Sequence, residues 1–170
     1  MDHFTFSAVC NSTQKAAGRD DFRLIPNGVN GIEERIHVLW DEMVKSGQAI
    51  PAQFVRMMSS GAAHTFNLYP RKGAVRAGSD ADVIIFNPDA VHTISATAHH
   101  SQMDTNIYEG RTVTGRVETT ISRGRLVWHD DELLVERGSG RRIMMKPFGP
   151  LFFPRTTQIE EEHEGGGSSH

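Results

Sequence analysis

Tyr69-Pro70-Arg71-Lys72-Gly73, residues 69–73, divides the chain into two grammars. Upstream, Ile32, Ile36, Leu39, Trp40, Met43 and Val44 recur at helical spacing, which predicts an amphipathic helix. Asn30 followed by Glu33 is a capping-box-like start, and Gly47 stands where a helix C-terminus is expected. Pro51 suits the first turn of a second helix, with Phe54, Val55 and Met58 on its apolar face. Ser59 or Ser60 is placed to cap a third, running through Ala62, Ala63 and Phe66 to Asn67. Downstream, Gly73, Gly78, Asn87-Pro88, Gly110, Gly115 and Gly124 fall between short runs rich in Val, Ile and Thr, the grammar of a small β unit. Val83-Ile84-Ile85-Phe86 reads as a strand buried on both faces. Val117 to Ser122 and Arg125 to Trp128 read as a hairpin across Arg123-Gly124, and Leu133 to Val135 as a further strand.

Outside this body the chain is irregular. The first thirty residues read as a strand end plus a long loop punctuated by Gly18, Asp20, Asp21, Pro26, Asn27, Gly28, Asn30 and Gly31. A loop of that length is usually functional or disordered. Residues 137–159 carry Gly138, Gly140, Pro147, Gly149, Pro150 and Pro154, and so predict an extended tail. Met144, Met145, Phe148, Leu151, Phe152 and Phe153 make that tail apolar enough to dock on the chain or on a second subunit. Residues 160–170 are polar, low in complexity and expected to be disordered or artificial in origin.

Composition bounds the function. The 170 residues are 38% hydrophobic and 23% charged, which suits a soluble globular chain of one domain or parts of two. No apolar run approaches the ~20 residues of a membrane helix, and the N-terminus lacks a secretory signal. One cysteine, Cys10, excludes an internal disulfide framework and points to a reducing, cytoplasmic compartment. The net charge is −3, with four glutamates in the last eleven residues, so the near-neutral body proposes neither nucleic acid nor a membrane as partner.

Few residues announce chemistry on their own. The nine histidines include no H-x-H, H-x-x-x-H or H-E-x-x-H. On a strand, the adjacent His99 and His100 would point to opposite faces, which makes them poor co-ligands and better surface or interface residues. His37 and His64 fall on the helices as partly buried structural residues. Asp80 and Asp82 stand at the entry to a strand, where Asp organises turns. Arg71-Lys72 reads as a solvated basic turn. Asp2, before the alternation Phe4-Thr5-Phe6, is a carboxylate at a strand end ahead of a long loop, where barrel enzymes place catalytic groups.

A series of short motifs adds what these features lack. Asp2-His3-Phe4-Thr5-Phe6, Gln14-Lys15-Ala16, Asp21-Phe22, Ile25-Pro26-Asn27-Gly28 and Glu33-Glu34-Arg35 resemble, in that order, the last barrel segment of dihydropyrimidinase and the hydantoinases. Asn67-Leu68-Tyr69-Pro70-Arg71-Lys72-Gly73, Gly78-Ser79-Asp80-Ala81-Asp82, Thr93-Ile94-Ser95-Ala96, His99-His100, Tyr108-Glu109-Gly110 and Lys146-Pro147-Phe148 continue the resemblance to about Phe153. It implies an α/β chain: the C-terminal fragment of a (β/α)8 amidohydrolase barrel, then part of a small β-sandwich and an irregular C-terminal tail. The implied divisions are the last barrel strand, loop and helices at 1–69, sandwich at 70–136, an oligomerisation tail at 137–159 and the terminal segment at 160–170.

The activity implied is hydrolysis of the cyclic amide C–N bond of a dihydropyrimidine or hydantoin, in pyrimidine catabolism, by a cytoplasmic homotetramer with two zinc ions. Two cations lower the pKa of a bridging water and polarise the ring carbonyl, and a carboxylate shuttles its proton to the leaving nitrogen. By resemblance, Asp2 is both the metal ligand and this catalytic carboxylate, and Asn27 is the substrate-binding residue whose main chain holds the ring amide. Ser7 to Thr13 depart from the family's shorter stretch, and Phe4 stands where Cys is common. The family's other metal ligands lie on earlier barrel strands, so the expectation for this chain alone is neither turnover nor bound zinc. The alternative is a fragment of a non-catalytic dihydropyrimidinase-related scaffold, the collapsin-response-mediator branch, which commonly lacks the Asp and Asn found here at Asp2 and Asn27.

Overall fold

The structure, a computed structural model, describes residues 11–145 and 147–149. Its elements are helices α1 (Ser12–Lys15), α2 (Arg35–Leu39), α3 (Pro51–Val55) and α4 (Gly61–Thr65), and strands β1 (Val83–Thr93), β2 (Thr112–Ser122), β3 (Arg125–His129) and β4 (Glu132–Leu133). The strands form one sheet in the order β1-β2-β3-β4. Helix and sheet are thus combined in one chain, with its compact packing divided between two units. One holds residues 1–50 and 86–117, the other 51–85 and 118–170.

In the first unit, α2 continues as a π-helical turn, Trp40–Lys45, and ends where Gly47, at φ 80°, donates to the Val44 carbonyl at 3.1 Å. The expected helix stop is therefore present. The expected start is not: regular helix begins only at Arg35, and Asn30 and Glu33 direct their side chains elsewhere. Val38, Ile94 and Val113 form the buried cluster, with Tyr108 packed against it. Polar side chains of the helical segment bond to strand backbone. Asp41 accepts from the Thr114 N–H at 2.9 Å, His37 Nε2 accepts from the Val117 N–H at 3.2 Å, and Trp40 donates to the Pro88 carbonyl at 3.2 Å. Trp40 and Phe86 meet edge to face at 4.9 Å over Gly115. A Cβ at Gly115 would lie 2.5 Å from the indole and 2.6 Å from the Phe86 ring, so only glycine leaves room for the pair.

In the second unit, α3, a π-helical turn (Arg56–Ser60) and α4 follow without a break, so the two expected helices join as one stretch. Phe54 and Ala63 are its buried residues, whereas Val55 and Phe66 are exposed. The Ser60 side chain caps nothing. Asn67, at φ 54°, turns the chain out of α4, and the Leu68 N–H returns to the Ala63 carbonyl at 2.8 Å. The 70–82 turn is not simply solvated. Asp80 accepts from Arg71 at 3.1 Å and from Lys72 at 2.9 Å, Lys72 also pairs with Asp82, and Asp82 accepts from the Arg123 N–H at 2.7 Å. The Lys72 ammonium, helped by Arg71, holds the Asp80 carboxyl below the ordinary carboxylate range although burial pushes the other way.

The expected hairpin is present, with Ser122 opposite Arg125 and positive φ at both Arg123 (48°) and Gly124 (78°), as a two-residue hairpin turn requires. A bulge between Thr120 and Ile121 shifts the register. β1 differs from its expectation. It runs through Asn87-Pro88 rather than stopping there, and Ile84 and Ile85 are exposed rather than buried on both faces. The expected third strand is only the short β4. No helix among the described residues is long and apolar enough to cross a membrane.

Candidate functional site

Of the two predicted site residues, Asp2 lies outside the described residues, as does Cys10. Asn27 is described, and sits exposed in the segment between α1 and α2.

That segment is folded by short local contacts. Asn11 caps α1 by accepting from the Gln14 N–H at 2.9 Å, and the Gln14 side chain accepts from the Asn11 N–H at 2.9 Å, a complete capping box. A 3₁₀ turn, Ala16–Gly18, follows. Gly18 is buried with its α-carbon against Ile25, where an added Cβ would stand 2.7 Å from the Ile25 nitrogen. Asp21 then caps a second 3₁₀ turn, Phe22–Leu24, accepting from the Arg23 N–H at 3.0 Å and pairing with the Arg23 guanidinium at 2.7 Å. That guanidinium, with the Arg23 N–H, holds the Asp21 carboxyl below its ordinary value.

Around Asn27, the Lys15 ammonium donates to the Pro26 carbonyl at 3.0 Å and to the Gly28 carbonyl at 2.8 Å. Gly28 stands at φ 105°, a conformation side chains other than hydrogen rarely allow. Beyond it Asn30 donates to the Thr105 carbonyl and accepts from the Ile107 N–H at 3.1 Å, so it ties the loop to the β1–β2 connection rather than capping a helix. Ser12 makes a second tie through its N–H and hydroxyl to Asp104, and these bonds hold the Asp104 carboxyl low.

The β1–β2 connection itself is bound to the start of the helical segment. Glu33 accepts from the His100 N–H and pairs with His100 Nδ1, both at 2.8 Å. Glu34 and Asn106 are buried, and the Asn106 amide donates to Glu34 and, at 3.1 Å, to His99 Nδ1, while His99 Nε2 donates to the Met103 carbonyl at 2.9 Å. The adjacent histidines are therefore occupied by separate structural partners. Among the described residues there is no group of three or more His, Cys, Asp or Glu side chains arranged to hold a metal ion. The described residues thus do not form a metal centre by themselves. Asp80 and Asp82 serve the turn described above. His64 stacks on Tyr69 at 4.0 Å.

No local sequence pattern marks Lys15 for a role of its own. A lysine in a polar segment carries no local signature for bonding to carbonyls eleven and thirteen residues away. Asn11 with Gln14 three residues later has the spacing of a capping box, so local sequence could have located that cap.

A family model described as "Amidohydrolase family" matches residues 7–127. Over 151 residues the chain is 58% identical to "Dihydropyrimidinase" from Arabidopsis thaliana, covering 89% of this chain and 28% of that protein. It is 38% identical over 160 residues to "Dihydropyrimidinase-related protein 5" of Mus musculus, covering 94% of this chain and 28% of that one. Among solved structures, D-hydantoinase from Bacillus sp. AR9 superposes with a TM-score of 0.79 at 41% identity, over 82% of this chain and 30% of that chain. The chain therefore spans under a third of the length of these relatives.

Proposed function

We propose that this chain, which belongs to the amidohydrolase family and resembles its dihydropyrimidinases and hydantoinases, is the C-terminal part of a metal-dependent dihydropyrimidinase. The complete enzyme hydrolyses the cyclic amide bond of 5,6-dihydropyrimidines in pyrimidine catabolism. Residues 1–69 supply the last barrel strand, its loop and helices, residues 70–136 a sandwich portion, and residues 137–159 a tail used in a cytoplasmic homotetramer. The observation that supports this reading best is the 58% identity to a dihydropyrimidinase across most of the chain, against 38% to a related protein of the other branch. The presence of both Asp2 and Asn27 agrees with it.

Within the proposal, the Asp2 carboxylate binds metal and moves the proton from the attacking water to the leaving ring nitrogen, which cannot depart as an anion at neutral pH. The Asn27 main chain holds the ring amide, whose carbonyl and N–H need one donor and one acceptor in fixed positions. The remaining ligands come from chain outside these residues, and the two ions, zinc in this reading, supply the polarisation of the water and carbonyl.

The test is ring opening of dihydrouracil by the complete polypeptide with its upstream sequence. Activity there, lost by about 10²–10⁴-fold in Asp2→Ala, supports the reading. The 170-residue chain alone is expected to show no turnover and no stoichiometric zinc. A complete polypeptide that lacks an H-x-H pair and opens no cyclic amide selects the scaffold instead. Turnover with stoichiometric zinc in the isolated chain also refutes the proposal.

A further inference from the structure

We propose that Lys15 is a positioning residue for substrate: its ammonium holds the Pro26–Asn27 and Gly28–Val29 peptide planes, so that the Asn27 N–H is presented ready-made to the ring amide. The inference rests on the proposed role of Asn27 and adds a residue to it.

Three observations carry it. Lys15 Nζ donates to the carbonyls of both Pro26 and Gly28, at 3.0 and 2.8 Å, and to these from a partly buried position. A peptide is planar, and a trans peptide points its N–H opposite to its C=O. The bond to the Pro26 oxygen therefore aims the Asn27 N–H away from Lys15, and the bond to the Gly28 oxygen does the same for the Val29 N–H. The Asn27–Gly28 peptide, which carries the Asn27 carbonyl, is bracketed by these two held planes. A charge-assisted bond to a carbonyl also polarises its peptide and strengthens the N–H on the far side as a donor.

The second observation is that this convergence runs through Gly28 at φ 105°, a backbone conformation that glycine adopts readily and other residues rarely do. The third is that the platform for Lys15 is itself held. The capping box at Asn11 and Gln14 fixes α1, whose last residue is Lys15, and the Ser12 N–H bonds Asp104 at 3.0 Å. Before Asn27, Gly18 packs on Ile25, and after it Asn30 accepts from the Ile107 N–H. A main-chain site of this kind discriminates only if its peptides do not need to be ordered by the substrate. Lys15 supplies that order from a side chain that does not itself reach for substrate.

The experiment compares Lys15→Met and Lys15→Arg with the wild type in the complete enzyme. It reads steady-state kinetics on dihydrouracil and amide hydrogen exchange over residues 26–30. Lys15→Met is expected to raise KM about 10- to 100-fold, with kcat changed by less than about threefold, and to speed exchange in the loop. Lys15→Arg, which keeps charge and donors, is expected to fall between; it also carries the comparison if Lys15→Met does not fold. A KM within about twofold of wild type in a variant whose loop exchanges faster overturns the inference, because the clamp would then serve the fold alone. Unchanged exchange overturns it too, because the clamp would then not order the loop. A wild-type enzyme that opens no dihydropyrimidine or hydantoin ring marks failure of the proposed function itself, a result separate from both.

Discussion

His37 shows how far one residue's chemistry is set by its surroundings. Burial, then the neighbouring His92 ring 4.8 Å away, depresses its pKa to about 4; Glu33 pulls the other way, and Arg116 adds a further lowering. The neutral ring accepts the Val117 N–H. The folded pKa lies below the unfolded value of 6.5, so between the two the unfolded chain binds a proton that the folded chain refuses. The resulting stability is whole above pH 6.5 and is lost as pH falls towards 4, at up to about 1.4 kcal/mol per pH unit. Burial also lowers the His92 pKa, which adds to the same trend. Urea unfolding at pH 7 and pH 5 is expected to show the loss in wild type and most of it abolished in His37→Gln, which retains an acceptor for Val117. An equal loss in both proteins would contradict the assignment.

At the level of elements, the connection between β1 and β2 owes its shape to a buried amide. Asn106 uses both amide hydrogens, on Glu34 and His99, and its oxygen accepts the Tyr108 N–H at 2.9 Å. Such a satisfied network orders a segment that has little regular structure of its own. Asn106→Ala leaves the buried Glu34 carboxylate and the Tyr108 N–H without this partner. It is expected to destabilise the chain by about 2–4 kcal/mol and to speed amide exchange across residues 95–110. Glu34→Gln keeps an acceptor oxygen and is expected to cost under about 1.5 kcal/mol. Equal effects of the two substitutions, measured by denaturant titration, would show that the amide does not organise the connection.

At the scale of the whole molecule, the described residues leave many large apolar side chains exposed. Val75 is 88% exposed, Phe22 79%, Met144 74% and Phe148 68%. Monomeric soluble proteins leave single apolar side chains in water but seldom so many large ones. The chain in isolation is therefore expected to self-associate. Light scattering should return a mass above 18.9 kDa that rises with concentration, and thermal unfolding should be broad. A concentration-independent monomer with a sharp cooperative melt would sink this expectation.

Local features were legible in the sequence because their causes lie within a few residues. The apolar spacing from Ile36 to Val44, the stop at Gly47 and the Arg123-Gly124 turn each act through neighbours in the chain, and each is found as expected. The family was legible too, since the order of its short motifs is itself a sequence property. Tertiary structure alone decided the partners of the polar side chains. Asn30 and Glu33 look like cap residues locally but bond Ile107 and His100, 77 and 67 residues away. Lys15 reaches the carbonyls beside Asn27, and Arg71 and Lys72 find Asp80. A helix cap and a long-range acceptor compete for the same donor or acceptor atom. The winner is set by which backbone the packed elements bring within about 3 Å, a quantity that no local pattern contains.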